Sequence, residues 1–276
     1  MKTPRRKESE RGIFPFLKTP AVTLKPREEG ITLVDDRCLP TGYLEEILEL
    51  HGGLIDFAKV VDHAGMFTRY SPSWMRRRLR LYAKHRIRTL PSGISFEVAC
   101  IQNKAREFFD RIKELGFTCV EISDDVIPPI PAKDRDAYIR YAAKAGLEVY
   151  TEVGRKFPKE KLNVAGTVEL IRRDLELGVH KVTIEKSEIS MSIEKKLGVI
   201  EEIMGRVGNK HIFLEVGPDG YPHLHQWAIN EFGPEVNLGN VELEHILKVE
   251  AMRRGLDRKV EYSFVADLVK GRFPEG

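Results

Sequence analysis

The feature that most constrains this chain is a regular alternation of short β-branched runs with longer amphipathic stretches. Eight strand-like runs, each bounded by turn residues, lie at 31–35 (ITLVD), 54–60, 87–90, 118–122, 147–153, 179–184, 210–215 and 235–238. Helical patterns lie near 41–51, 72–86, 97–115, 132–145, 161–177, 192–206, 222–232 and 242–255. Several of them end at a glycine, among them Gly116, Gly146 and Gly178, as expected for helix C-caps.

Eight strand–helix units in about 230 residues predict an α/β protein with one (β/α)8 (TIM) barrel domain. A doubly wound open sheet is the alternative, but no G-x-G-x-x-G follows the first strand. We assign the barrel to residues 31–256, an N-terminal arm to residues 1–30 and a C-terminal extension to residues 257–276. The arm is rich in Lys, Arg and Pro and is expected to be partly disordered or to pack on a neighbouring copy, and a homo-oligomer is expected.

Composition excludes several classes of protein. No apolar run approaches the roughly 20 residues that a membrane helix needs. The formal net charge is +3, and the one dense basic run, 76–88, carries apolar residues at helical spacing, which indicates a solvated helix face rather than a nucleic-acid surface. The basic N-terminus does not resemble a secretory signal, and the three cysteines lack metal-type spacing. We therefore expect a cytoplasmic protein that binds neither membranes nor nucleic acid.

The predicted strands end in charged and polar residues. In a (β/α)8 barrel the carboxyl ends of the strands open onto one face, which carries the active site. Read to their ends, the strands place there the acids Asp35, Glu121, Glu152, Glu185 and Glu215, the lysines Lys59 and Lys156, and the polar residues Ser92, Ser123, Asn237 and Asn240. The sequence therefore predicts a ring of carboxylates, together with two lysines, around the open end of the barrel, which we call the mouth.

Carboxylates gathered in one mouth repel one another unless a cation or a proton neutralises them. Mg²⁺ prefers oxygen ligands, so we predict a Mg²⁺ site formed by Asp35, Glu121, Glu185 and Glu215. A lysine in such a mouth can hold an anionic substrate or, when desolvated, transfer a proton. The predicted catalytic residues are Lys156, Lys59 and Glu152, and the predicted binding residues for a small anionic substrate are Ser123, Asn237, Asn240 and Arg258.

The strand-end residues resemble those of the phosphosulfolactate synthases of coenzyme M biosynthesis, over about residues 25 to 256. The matching pieces include KPREEG (25–30), IDFAK (55–59), SFE (95–97), VEIS (120–123), TEVGRK (151–156), FGPEVNLGNV (232–241) and EAMRRGL (250–256). The resemblance implies a (β/α)8 barrel that adds sulfite to phosphoenolpyruvate with Mg²⁺ and forms a carbon–sulfur bond. It also implies that Lys156 donates a proton to carbon and that acids of the mouth lie near the metal.

The chain departs from this family at several mouth positions. VVDHAG (60–65) replaces a Gly/Thr-rich run, and Ser92-Gly93-Ile94 replaces Gly-Gly-Thr. Ser187 and Asp257 stand where the family has arginines, and Arg and Lys are not interchangeable at a bidentate anion site. These departures predict a divergent C–S lyase or synthase whose substrate is changed.

Two other functions remain open at the level of sequence. A barrel aldolase or isomerase would use a lysine without sulfite, through a Schiff base. A non-catalytic barrel would have kept the fold without the chemistry, as the resemblance allows because some plant relatives are associated with heat stress.

Overall fold

The computed structural model describes residues 13–21 and 23–270. Eight parallel strands form its sheet: β1 (Thr32–Asp36), β2 (Phe57–Val60), β3 (Arg88–Pro91), β4 (Cys119–Ile122), β5 (Glu148–Val153), β6 (Lys181–Ile184), β7 (Ile212–Glu215) and β8 (Leu238–Glu242). The strand order is β3-β2-β1-β8-β7-β6-β5-β4. This arrangement confirms the (β/α)8 barrel. The eighth strand was predicted at 235–238 and instead begins where that run ends.

Helices follow the strands and cover the outside of the barrel. They are α1 (Thr41–His51), α2 (His63–Thr68), α3 (Pro72–Lys84), α4 (Gly93–Ile101), α5 (Ala105–Leu115), α6 (Ala132–Lys144), α7 (Val164–Glu176), α8 (Lys186–Glu194), α9 (Val199–Val207), α10 (His223–Phe232), α11 (Ile246–Arg253) and α12 (Ser263–Val269). In the described part of the chain, no helix is both long enough and apolar enough to cross a membrane.

The barrel closes between β3 and β4 through a threonine. The backbone N–H of Thr118 donates to the carbonyl of Thr89 (3.1 Å), and the N–H of Thr89 donates to Thr118 Oγ1 (2.9 Å). Because a side-chain oxygen takes the place of a ladder carbonyl, the two edge strands are held together at their N-terminal ends without a regular ladder.

The barrel interior changes from apolar to charged within one pleat of the strands. A buried cluster nearer the N-terminal ends of the strands contains Leu33, Phe57, Cys119, Tyr150 and Phe213. Side chains of a strand alternate between its two faces, so the residues two positions later also point inward. Those residues are Asp35, Lys59, Glu121, Glu152 and Glu215, all of them buried.

The basic run at 76–88 forms much of α3, as its apolar spacing predicted, but one of its arginines is not solvated. Arg78 is 2% exposed, and its Nε donates to Asp36 Oδ2 (2.7 Å). Tyr82 Oη donates to the same oxygen (2.8 Å). Asp36 therefore faces α3 and not the mouth, since it follows Asp35 by one residue and points to the other face of β1.

The last residues of the predicted arm cover the N-terminal end of the barrel. Arg27 Nε pairs with Asp56 Oδ2 (2.9 Å), and both side chains are buried. Lys25 Nζ donates to the carbonyl of Gly52 (2.8 Å), and the N–H of Gly30 donates to the carbonyl of Glu235 (2.7 Å). Residues 1–12 and 22 of the arm and residues 271–276 of the predicted C-terminal extension lie outside the described residues.

Candidate active site

A cavity of about 460 Å³ opens at the carboxyl ends of the strands. Its lining includes Asp35, Lys59, Glu121, Asp125, Glu152, Lys156, Glu215 and Asn240. The ring of charge predicted from the strand ends is therefore brought together at one end of the barrel. Glu185, beside the cavity, is buried and contacts Lys156.

Lys59 on β2 and Glu121 on β4 form a buried ion pair inside the barrel. The Nζ–Oε2 distance is 2.8 Å, and the two side chains are 4% and 1% exposed. Thr183 Oγ1 donates to the other oxygen of Glu121 (3.3 Å). Burial alone lowers the pKa of Lys59, but Glu121, Glu215 and Glu152 outweigh burial and raise it above its ordinary value. Lys59 is therefore a fixed positive charge at neutral pH.

Lys156 bridges two acids of the mouth. Its Nζ lies 2.6 Å from Asp125 Oδ2 and 2.8 Å from Glu185 Oε2. Burial lowers the pKa of Lys156, whereas Glu152, Glu215 and Glu185 together raise it well above its ordinary value. The side chain remains 32% exposed. Lys156 is thus a protonated amine that a ligand in the cavity can reach.

Three carboxylates beside Lys156 have the spacing of a cation site. Asp125, Glu152 and Glu185 each offer one oxygen, and these atoms all lie within 4.8 Å of one another. Asp125 Oδ1 and Glu152 Oε1 are buried and have no hydrogen-bond partner among the residues that the structure describes. An all-oxygen set with two unpartnered atoms fits a hard cation such as Mg²⁺.

This trio differs from the predicted metal ligands. It contains Glu185, but Glu121 pairs with Lys59, and Asp35 Oδ2 pairs with Arg37 Nε (3.1 Å). Glu215 lines the cavity with Oε2 unpartnered and lies outside the trio. Glu152, predicted to be catalytic, is inside it. The metal itself stays a prediction.

Burial sets the protonation of these acids. It raises the pKa of Asp35 to about 6 and that of Glu215 to about 7. Burial and the neighbouring Glu121 and Glu215 raise the pKa of Glu152 well above its ordinary value. Burial also raises the pKa of Glu185, but hydrogen bonds with Glu152 and Lys156 outweigh burial and lower it overall. Protons and ammonium groups therefore neutralise the mouth when no divalent cation is bound.

Glu97, which strand-end reasoning does not identify, holds the loop that carries Asp125. Its Oε1 accepts from the N–H of Asp125 (3.0 Å), and its Oε2 accepts from the N–H groups of Val126 (3.1 Å) and Ile127 (3.2 Å). Ser123 Oγ also donates to Oε1 (2.6 Å). Glu97 lies on α4, so its only sequence signal is the matching SFE piece.

Two predicted substrate-binding residues do not line the cavity because each has a structural role elsewhere. Ser123 is fully buried and donates to Glu97. Asn237 lies at the opposite end of the barrel, where Oδ1 accepts from the N–H of Ile31 (3.1 Å) and Nδ2 donates to the carbonyl of Ile212 (3.0 Å). The prediction for Asn237 is wrong because β8 starts after this residue and does not end at it.

The other two predicted binding residues differ from each other. Asn240 lines the cavity, and its buried Oδ1 has no hydrogen-bond partner. Its positive φ of 54° lies where the register between β1 and β8 is irregular. Arg258 is exposed at the start of a 3₁₀ turn, Arg258–Val260, and is not among the residues that line the cavity.

His63 and Ser92 form a second polar pair in the cavity wall. His63 begins α2, Ser92 precedes α4, and His63 Nε2 lies 2.7 Å from Ser92 Oγ. The histidine belongs to the VVDHAG run (60–65), where the sequence departs from the resemblance. No strand-end rule identifies a residue that begins the following helix.

Residues 20–258 match the family model of (2R)-phospho-3-sulfolactate synthase (ComA). The chain belongs to this family. It is 30% identical over 254 residues to the phosphosulfolactate synthase of Methanothermobacter thermautotrophicus, covering 88% of this chain and 95% of that protein. It is 32% identical over 235 residues to that of Methanocaldococcus jannaschii, covering 83% and 92%. The family resemblance of the motifs is therefore confirmed.

Solved structures of other families share the barrel. The carboxyl transferase domain of Rhizobium etli pyruvate carboxylase aligns with a TM-score of 0.58 at 10% identity, covering 89% of this chain and 48% of that one. Dihydrodipicolinate synthase of Cyanidioschyzon merolae aligns with a TM-score of 0.53 at 12% identity, covering 91% and 85%. At these identities the likeness shows the fold alone.

Proposed function

We propose that the protein catalyses a phosphosulfolactate synthase reaction, the Mg²⁺-assisted addition of sulfite to phosphoenolpyruvate. The observation that carries the proposal is Lys156, an ammonium group that contacts two of the three carboxylates suited to a divalent cation, Asp125 and Glu185. An ammonium group next to a candidate metal site in the mouth of the barrel supports this proposal, because barrel enzymes act at that end. Family membership supports the same reaction class.

The addition needs a proton donor and a stabiliser of negative charge. Sulfur attacks the CH₂ end of the enol and forms the carbon–sulfur bond, and the double-bond electrons move toward the carbon that bears the phosphate and carboxylate groups. That carbon then takes a proton, which Lys156 supplies. Lys59 adds a fixed positive charge near the developing anion.

Asp125, Glu152 and Glu185 would hold the Mg²⁺ ion. When bound, the ion would stabilise the enolate-like oxyanion of the substrate. Lys156 contacts two of the three ligands, so the proton donor and the candidate metal ligands are fixed relative to one another. Glu97 contributes by holding the loop of Asp125.

The two positions that lack the family's arginines are used differently in this chain. Ser187 donates from both N–H (3.3 Å) and Oγ (3.2 Å) to Glu185 Oε1. Asp257 Oδ1 accepts from the N–H of Lys259 (2.8 Å). Neither side chain brings a positive charge to the mouth. The hypothesis of a changed substrate therefore stays a prediction for the assay to decide.

The test is a ³¹P NMR assay of phosphoenolpyruvate with sulfite and Mg²⁺. Conversion of the enol phosphate signal into that of an alkyl phosphate, dependent on both additions, is the expected result. Sulfide and a small thiol in place of sulfite test a changed nucleophile. If phosphoenolpyruvate stays intact with every nucleophile, the proposed reaction is wrong.

The Schiff-base alternative requires a neutral lysine amine, whereas carboxylates raise the pKa of both cavity lysines. Borohydride treatment with pyruvate is therefore expected to leave the protein mass unchanged, and an adduct on Lys156 or Lys59 would favour the aldolase class.

The homo-oligomer and the cytoplasmic location stay predictions. Analytical ultracentrifugation measures the oligomeric state.

A further inference from the structure

The wall of the cavity has an acidic part and a part with hydrogen-bond donors. The acidic part carries Glu121, Asp125, Glu152 and Glu215. The other part is formed by residues 61–63, after β2, and 92–94, at the start of α4. The lysines of the first part are already paired with its carboxylates, whereas the second part has hydrogen-bond donors, so an anionic group of a substrate is better placed against the second.

The one carboxylate in the second part is already engaged. Asp62 Oδ1 accepts from the N–H of Gly65 (3.0 Å), and Oδ2 accepts from the hydroxyl of Tyr70. These bonds lower the pKa of Asp62, the bond from Tyr70 most. Its charge is therefore directed toward α2 and Tyr70, and its oxygens do not compete for the donors of His63 and Ser92.

His63 is the residue in this part of the wall that can become cationic. Burial lowers its pKa, and the positive charges of Lys156 and Lys59 act in the same direction, while Asp62 and Asp125 oppose them. The imidazole is therefore neutral at neutral pH before a ligand binds. Ser92 Oγ makes no capping bond within α4 and is paired with His63 instead.

We propose that His63 and Ser92 form the subsite that binds the phosphate group of the substrate. This inference rests on the proposed function, because it assigns one group of that substrate to one part of the cavity. A phosphate dianion accepts hydrogen bonds from the serine hydroxyl and the histidine N–H, and it favours the imidazolium form, since opposite charges raise a histidine pKa. Binding of phosphate is therefore coupled to proton uptake by His63.

Calorimetry of the full chain with inorganic phosphate and with phosphoenolpyruvate tests the coupling directly. Titrations above neutral pH, in two buffers of different ionisation enthalpy, are expected to show uptake of up to about one proton per site in the wild type. His63→Gln is expected to lose the uptake and to bind about tenfold more weakly. The matched control is His51→Gln, in the last turn of α1 at the other end of the barrel, which should behave as wild type.

NMR of the histidine rings supplies a second readout. The ring signal that disappears in His63→Gln is assigned to His63, and phosphate is expected to raise the pKa of that ring. Ser92→Ala should weaken phosphate binding while leaving proton uptake in place. If His63→Gln does not fold, Ser92→Ala and the wild-type titration still decide the matter.

The outcomes separate this inference from the proposed reaction. Equal phosphate affinity in wild type and in His63→Gln, no phosphate binding by the wild type, or a His63 pKa unmoved by bound phosphate overturns the subsite. Pyruvate is the control ligand, because it carries a carboxylate but no phosphate. Proton uptake on binding of pyruvate would also overturn the phosphate subsite. Phosphate binding coupled to His63 without any product from sulfite would defeat the reaction and leave the subsite standing.

Discussion

Lys156 is the residue on which the proposed chemistry depends most. Lys156→Met removes the proton donor and is expected to lower turnover by about 10²–10⁴-fold. The change also frees Asp125 and Glu185 from an ammonium group that competes with a divalent cation. Mg²⁺ is therefore expected to raise the melting temperature of the variant at least as much as that of the wild type. Rate assays and thermal melts with and without Mg²⁺ measure both effects.

Lys144→Met, on the exposed face of α6, is the matched control and should leave both readouts unchanged. Retained turnover in Lys156→Met would reduce Lys156 to a charge-balancing residue. A smaller Mg²⁺ effect than in the wild type would show that the lysine does not compete with the cation and would count against the trio as its site.

The sequence pattern identifies the inward-facing residues of the strands, because every second side chain of a strand points to the same face. Asp35, Lys59, Glu121, Glu152 and Glu215 follow from this rule and lie together in the structure. Asp125, Glu97 and His63 could not be found in this way, because they lie on a loop and on the first or inner turns of helices. Which acid pairs with which lysine was also beyond the sequence, since that depends on the register between strands.

At the scale of elements, the loop after β4 depends on α4. Glu97 is fully buried and accepts three backbone N–H groups from residues 125–127. Glu97→Gln replaces one acceptor oxygen by an NH₂ group that faces N–H donors, so it is expected to lower the free energy of unfolding by about 1–3 kcal/mol. It should also weaken stabilisation by Mg²⁺, because Asp125 is no longer held in place. Denaturant unfolding measured with and without Mg²⁺ gives both values.

Glu107→Gln is the control for this change, because Glu107 is exposed on α5 and pairs with Lys104 at the surface. Wild-type stability in Glu97→Gln would mean that the loop keeps its conformation without the carboxylate.

The start of β8 is an element that the sequence pattern did not predict correctly. The run 235–238 is bounded by turn residues and was predicted as the strand. In the structure Asn237 bonds to the backbone of Ile31 and Ile212 at the N-terminal end of the barrel, and β8 starts only at Leu238.

At the scale of the whole molecule, the buried acids make stability depend on pH in an unusual direction. A carboxyl whose pKa is raised by folding binds a proton more readily in the folded state, so its contribution to stability is lost as pH rises toward the folded pKa. This applies to Asp35, with a pKa of about 6, and to Glu215, with a pKa of about 7. His225 acts in the opposite direction, because burial lowers its pKa to about 4 and stability is lost as pH falls below the unfolded value.

Without divalent cations, the protein is therefore expected to be more stable at pH 6 than at pH 8 by about 1–2 kcal/mol, mostly because Glu215 ionises in this interval. Mg²⁺ at the trio of Asp125, Glu152 and Glu185 competes with the proton of Glu152, whose pKa burial raises well above its ordinary value, so its stabilising effect should grow over the same interval. Thermal melts at both pH values, with EDTA or with Mg²⁺, measure the four conditions needed. A melting temperature in EDTA that rises from pH 6 to pH 8 would contradict the raised pKa values of the acids. An equal effect of Mg²⁺ at both pH values would show that the cation does not displace a proton from the trio.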